Sequence, residues 1–368
     1  MTISPRLTLA LDNCFASKRW TTPEEWMQIA CDIGIFAIEA SADNECDPLY
    51  TPPDALESWI ESVRAASQKT GVRVINLYSG HGTYTTLGLA HPDKRVRDHI
   101  HHQWLKPMIR SAAALGAGLG FFCHAIPQSI LYDPACYAEA EADLLARLAD
   151  LAAYAAEVGL PSLSVEQMYS PHQPPWRIIQ AQQWIKAVFQ RAGVPLYITL
   201  DTAHHVGQRH FQQPDRAAIE RALAGDPDVW MGSANGETVE SVTTYINERP
   251  YLFAAPEDGD LYAWVRALGR YAPIIHLQQT DGTESKHRPF TARYNATGQV
   301  TPDKLLAALR EAQEHPNFPP PCTDIALTLE IFSGTADKPR QILANLRESA
   351  AYWRQAIPED GIALTPTP

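Results

Sequence analysis

The chain has no Cys-x-x-Cys pair, no low-complexity linker, no Gly-x-Gly-x-x-Gly and no uninterrupted apolar run long enough to cross a membrane. Each absence removes a class. Its six cysteines (Cys14, Cys31, Cys46, Cys123, Cys136 and Cys322) are scattered over 368 residues. That spacing disfavours a zinc framework or a disulfide-stapled secreted fold and favours reduced thiols. Without about 18 consecutive apolar residues nothing is expected to span a bilayer, and Met1 to Arg6 lacks the apolar stretch of a secretory leader. Positive charge is also short. Thirty Lys and Arg against 42 Asp and Glu leave a formal net charge of −12 and a pI of about 5.5, which argues against a nucleic-acid partner. A cytoplasmic enzyme or binding protein for small molecules is the expectation.

What is present is a rhythm. Apolar, partly β-branched runs at 6–13, 35–39, 72–78, 119–123, 163–165, 195–200, 273–277 and 325–329 alternate with stretches of helical periodicity, such as Leu56, Trp59, Ile60 and Val63. The runs are continuously apolar rather than alternating, as in parallel strands buried on both faces. Eight strand–helix units predict an α/β fold, a (β/α)8 barrel over 1–357, and no dinucleotide motif opens the first unit. The rhythm breaks at about 207–259, an insertion that leaves strand six and is expected over the C-terminal face. Its Trp and Tyr residues would suit either a pocket cover or a contact in a homo-oligomer. Residues 358–368 read as an unstructured or loosely docked tail.

In such barrels chemistry sits where strands end. The stretch Ile198-Thr199-Leu200-Asp201-Thr202-Ala203-His204 ends a strand on a carboxylate and an imidazole. Ser164-Val165-Glu166, Ile274-Ile275-His276 and Thr328-Leu329-Glu330 end strands likewise. Barrel closure would bring Glu166, Asp201, His276 and Glu330 to one point. Three carboxylates with one imidazole suit a single divalent metal that keeps positions open for substrate oxygens. Mn²⁺ is the first expectation, with Mg²⁺, Co²⁺ or Zn²⁺ as alternatives.

The Asp201-Thr202-Ala203-His204 stretch resembles the D-T-x-H motif of the xylose isomerase-like TIM barrels, which include ketose 3-epimerases, sugar-phosphate isomerases and the endonuclease IV fold. Glu166 in Val-Glu-Gln, His276 in Ile-His-Leu and Glu330 in Leu-Glu-Ile-Phe match the family's other metal ligands. The resemblance implies that Asp201 is a ligand, that His204 contacts substrate, and that Glu166 and Glu330 also exchange the substrate proton, each on its own face. A cation bridging carbonyl and hydroxyl oxygens would acidify the α-C–H and stabilise an ene-diolate. The expected function is therefore a metal-dependent isomerase or epimerase of a small ketose or ketose phosphate. Decarboxylation of a 3-oxo sugar acid or a dehydration would use the same quartet, and a non-catalytic sugar-binding barrel is the alternative from another class.

The chain departs from the ketose 3-epimerases at two substrate-gripping positions. His172 replaces a Glu six residues after the first ligand, and Gly282 replaces an Arg six residues after the histidine. Lys286-His287-Arg288 follows strand seven, where barrels often bind phosphate, so Lys286 and Arg288 are candidate grips for an anionic sugar. His81 and His124 lie where endonuclease IV relatives place further metal ligands. The Asp-x-His pair that such an enzyme needs is absent from Ser285-Lys286-His287, so His81, His124 and His172 are read as substrate contacts.

Overall fold

The computed structural model describes residues 4–41, 46–79, 88–236 and 238–364. Eight parallel strands close on one another: β1 (Arg6–Asp12), β2 (Ala37–Ser41), β3 (Arg73–Ser79), β4 (Gly118–Phe121), β5 (Leu163–Glu166), β6 (Tyr197–Asp201), β7 (Ile274–Leu277) and β8 (Asp324–Leu329). Each pairs with its successor, and β1 pairs with β8 from Arg6↔Asp324 to Leu11↔Leu329, closing the barrel, while β1 meets β2 only at Leu11 and Asp12. The expected (β/α)8 barrel is present.

Local chemistry starts and stops the outer helices as expected. Helix α1 (Pro23–Ile33) opens on a reciprocal capping box between Thr22 and Glu25, with Pro23 in its first turn, and ends on Gly34 at φ +82°. Helix α2 is Pro53–Thr70. Between β3 and β4 run α3 (Lys94–His99) and α4 (Lys106–Leu115), joined by a π-helical turn at Ile100–Leu105. That turn buries His101, whose Nε2 lies 2.7 Å from Asp150 Oδ2, where sequence alone suggests a solvated histidine. Helices α5 (Pro134–Glu157) and α6 (Ile178–Ala192) follow β4 and β5.

After β6 the chain forms α7 (Arg216–Leu223) and α8 (Val239–Glu248) before α9 (Leu261–Leu268) returns to the barrel. Val242, Ile246, Leu252 and Phe253 bury with Ile126, Leu131 and Tyr137 in a small apolar cluster of their own. Tyr251 stacks on Tyr137 at 3.9 Å. Helices α10 (Pro302–Arg310) and α11 (Pro339–Arg354) complete the ring.

The tail corrects an expectation. Residues Ile362–Ala363 form β9, antiparallel to β1, and Leu364 is buried. Asp360 fixes it, accepting from Leu9 N at 3.0 Å and from Arg354 Nη1 at 2.7 Å. An exposed flank of β1 would otherwise leave backbone groups unpaired.

Side chains alternate along each strand, so one face of every strand fills the barrel interior. The lower interior is small and apolar, with Ala10, Ala37, Ile274 and Ala326 in contact. Two residues further along these strands stand Asp12, Glu39, His276 and Thr328, all fully buried. The barrel thus sets an acidic layer near its C-terminal end. Among the described residues no helix is long and apolar enough to cross a membrane.

Candidate active site

The D-T-x-H stretch builds its own turn. Asp201 Oδ1 accepts from Ala203 N at 2.6 Å and from His204 N at 3.0 Å, so the carboxylate is locked as the chain leaves β6. Gln278, just past β7, donates its amide to both Asp201 oxygens at 3.0 and 2.8 Å. His204 Nδ1 sits 2.7 Å from the Gln167 carbonyl, which can only accept, so Nδ1 carries a proton and the ring turns Nε2 toward Asp201. That Nε2 lies 3.9 Å from Asp201 Oδ2.

His276 is held from below. Its Nε2 is 2.9 Å from Glu39 Oε2, and Glu39 Oε1 accepts from Asn76 at 2.7 Å. Its Nδ1 then faces Glu166 Oε1 at 3.0 Å and Glu330 Oε2 at 3.5 Å. A carboxylate fixing the far nitrogen of a histidine is how proteins orient a metal ligand. Tyr78, at the end of β3, donates its hydroxyl to Glu166 Oε2 and packs edge-on against His276.

Electrostatics point the same way. Asp12, Glu39, Glu166, Asp201 and Glu330 are each 3% exposed or less. Burial alone would drive the His276 proton off, but the charges of Glu330 and Glu39 hold its pKa well above the ordinary value. Burial opposes ionisation of Glu166 too, yet the His276 hydrogen bond and the His204 charge keep its pKa below the ordinary value. Asp201 is pushed up, chiefly by burial. Buried like charges need compensation, and the described residues lining the adjoining cavity include no Lys or Arg.

A cation fits this deficit. Donor atoms of Asp201, His276 and Glu330 lie within 4.8 Å of one another, as do those of Glu166, Asp201 and His204. Two ligands on one ion with bonds of about 2.0–2.2 Å stand no more than roughly 4.4 Å apart, so small side-chain shifts suffice. The oxygen-rich set is consistent with a divalent cation.

The centre opens on a cavity of about 610 Å³. Its polar lining comes from Glu166, Glu330, His204, His210 and His287 together with Thr283, Glu284 and Ser285 of the loop after β7, while Tyr78, Phe122, Met168, Tyr169, Val206 and Phe332 form the apolar wall. Of the proposed substrate contacts, only His204 is brought to it among the described residues. His81 lies outside the described residues. His124 instead packs between Phe122 and Trp104, ring centroids at 4.6 and 5.2 Å, and burial pushes its pKa down to about 3. His172 bonds a neighbouring loop, its Nδ1 2.8 Å from the Ile126 carbonyl.

Lys286 and Arg288, the candidate anionic grips, lie apart from this cavity. Arg288 spends its guanidinium on Asp281 at 3.0 Å and Glu284 at 2.5 Å, and Lys286 is exposed and paired with Glu284. Neither lines the cavity; the residue between them, His287, does. Glu39, Asn76, Tyr78, Asp12 and Gln278 were not assignable from sequence. Asp12 and Glu39 share the signal that marked the quartet, an acid closing an apolar run.

A closed parallel barrel whose strand ends meet in a buried carboxylate–imidazole centre defines a class of α/β barrel with a site able to hold a divalent cation. The comparisons narrow it. Residues 27–355 match the xylose isomerase-like TIM barrel family, and the chain belongs to it. A D-erythrulose 1-phosphate 3-epimerase of Brucella abortus is 36% identical over 104 residues, 28% of this chain. That match spans only 31% of the relative's length. A provisionally named xylose isomerase from Rhodospirillum rubrum superposes with a TM-score of 0.73 at 20% identity, covering 95% of this chain and 99% of that one. D-allulose 3-epimerase from Methylomonas sp., in complex with D-allulose, gives 0.56 at 16% identity over 97% of both chains.

Proposed function

We propose that this chain is a divalent-metal-dependent epimerase or isomerase of a small ketose, working by proton transfer at the carbon beside the carbonyl. One observation carries the reading. Glu166, the last residue of β5, and Glu330, just past β8, come from the strands on either side of those that carry Asp201 and His276, and both open on the same cavity. A cavity of about 610 Å³ suits a four- to six-carbon sugar. Bound there, the metal would act as a Lewis acid on adjacent carbonyl and hydroxyl oxygens and acidify the C–H between them.

The chain's own residues supply the rest. Glu166, held ionised and aimed by Tyr78, takes the proton while the C–H electron pair moves toward the carbonyl oxygen. Glu330 returns a proton to the same carbon from the other side as the pair moves back, and the configuration inverts. Solvent then restores both glutamates to their starting protonation. His204 presents Nε2 to a substrate hydroxyl, and the wall of Tyr78, Phe122 and Tyr169 keeps water from the reacting carbon.

A ketose 1-phosphate is the second reading, favoured by the 36% identity to the D-erythrulose 1-phosphate 3-epimerase. The cation-free described lining favours an uncharged sugar. One experiment addresses all of this. Chelated protein, reloaded singly with Mn²⁺, Mg²⁺, Co²⁺ or Zn²⁺, is incubated in D2O with four- to six-carbon ketoses and their 1-phosphates. Metal-dependent deuterium incorporation beside the carbonyl is expected, with epimer formation. No incorporation from any member with any metal would sink the proposal, and the preferred members decide between sugar and sugar phosphate.

A further inference from the structure

We infer that His287 is the positioning residue for Glu330, tying the loop after β7 to the acid that ends β8; this rests on the proton-transfer role proposed above. Three contacts converge on it. The His287 ring stacks face to face on Phe332, centroids 3.7 Å apart and planes 5° from parallel. Phe332 stands two residues after Glu330, so the stack fixes the segment that carries the carboxylate. His287 Nδ1 lies 3.1 Å from Glu330 Oε2, a close contact rather than a well-aligned hydrogen bond. The backbone N–H of His287 donates to Gln278 Oε1 at 2.6 Å, and the same amide group holds both oxygens of Asp201.

One residue therefore references Glu330 to Asp201 across β7. The backbone is bent to allow it. His287 has φ +47°, a left-handed conformation that non-glycine residues rarely adopt and that persists only where surrounding contacts enforce it. Its charged neighbours do not share the task, since Arg288 and Lys286 are turned onto Asp281 and Glu284. Glu166, by contrast, takes its hydrogen bonds from Tyr78 and His276.

That asymmetry gives a readout that a general structural role would not move. In His287→Ala, deuterium wash-in from the epimer whose C–H faces Glu330 should fall about 10- to 100-fold more than wash-in from the epimer whose C–H faces Glu166. Mn²⁺ titrated calorimetrically into the chelated variant should bind at least about tenfold more weakly, a measurement that needs no substrate. His287→Asn should recover most of both losses, because its amide nitrogen can take the place of Nδ1 and asparagine tolerates φ above zero. Thermal melts of both variants check folding. Unchanged Mn²⁺ affinity in His287→Ala, equal loss from both epimers, or no recovery in a folded His287→Asn would each overturn the inference. Absence of exchange in the wild type with every ketose would instead defeat the proposed reaction and leave the Mn²⁺ test standing.

Discussion

At the scale of single residues, the site is a stack of dependencies in which outer groups fix inner ones. Glu39 shows this most directly: its Oε2 pins His276 Nε2 at 2.9 Å and so turns Nδ1 toward the acids. Glu39→Ala should weaken Mn²⁺ binding by about 10- to 100-fold, while Glu39→Gln, which keeps an acceptor oxygen, should lose less. Calorimetry on chelated protein checks the order, and equal losses would mean that charge rather than orientation is what Glu39 supplies. Glu330→Gln separates base from ligand. It keeps size and one oxygen donor but removes the proton acceptor, so exchange should fall by about 10²- to 10⁴-fold while metal still binds. Undiminished exchange would assign the proton to another group. Both acids were visible in the sequence as closures of apolar runs, but only Glu330 carried a motif. What fixes Glu39 is Asn76 and His276, one strand and more than two hundred residues away, and no local pattern encodes that.

Among the elements, strands were the most legible part, because burial on both faces writes itself as continuous apolar runs. The eight runs fall within about two residues of the observed strands. Loops were not legible, because their partners are set by tertiary contact. Arg288 looks like an anion grip until Asp281 and Glu284 are seen to occupy its fork. His124 looks like a substrate contact until Trp104 and Phe122 are seen to pack on it. The tail misled for the same reason: a two-residue strand has no periodicity, and β9 exists because β1 offers it a partner. Deleting residues 360–368 removes the burial of Leu364, the Asp360 contacts and the β9 ladder, together about 3 kcal/mol or more. For a chain of this size the melting temperature should drop by roughly 5 °C. Mn²⁺ affinity should hold, since β9 pairs with Arg6 and Leu7 at the opposite end of β1 from Asp12. A truncated chain that melts like the wild type would show that β9 contributes nothing to the barrel.

For the molecule as a whole, burying five carboxyl groups in one centre makes stability depend on both pH and cation. Burial pushes His124 down to about 3 and His205 down to about 4, so both are neutral when folded. The unfolded chain binds those protons below about 6.5, and stability from this source is present above that pH and lost as pH falls. Asp12 runs the other way. Burial first, then the charges of Glu39 and Glu330, raise its pKa to about 8. Its Oδ1 accepts from Cys14 N at 2.6 Å and Ser41 Oγ at 2.8 Å, while Oδ2 has no hydrogen-bond partner among the described residues, as suits a protonated acid. Folded Asp12 thus keeps a proton that the unfolded chain releases near pH 4, and its stability contribution, complete below that pH, is lost as pH rises toward 8. Asp12→Asn is neutral at every pH and close in shape. In chelator, the wild type should lose stability between pH 5.5 and 8 with a slope of up to about 1.4 kcal/mol per pH unit that the variant lacks. Urea midpoints at the two pH values measure the difference, and parallel shifts in both proteins would mean that Asp12 is already ionised in the fold. Adding Mn²⁺ at about 100 times its dissociation constant should raise both proteins by about 2.7 kcal/mol, because the ion binds only the folded chain. The wild-type slope should also flatten, since a cation among these acids supplies the charge for which the Asp12 proton substitutes.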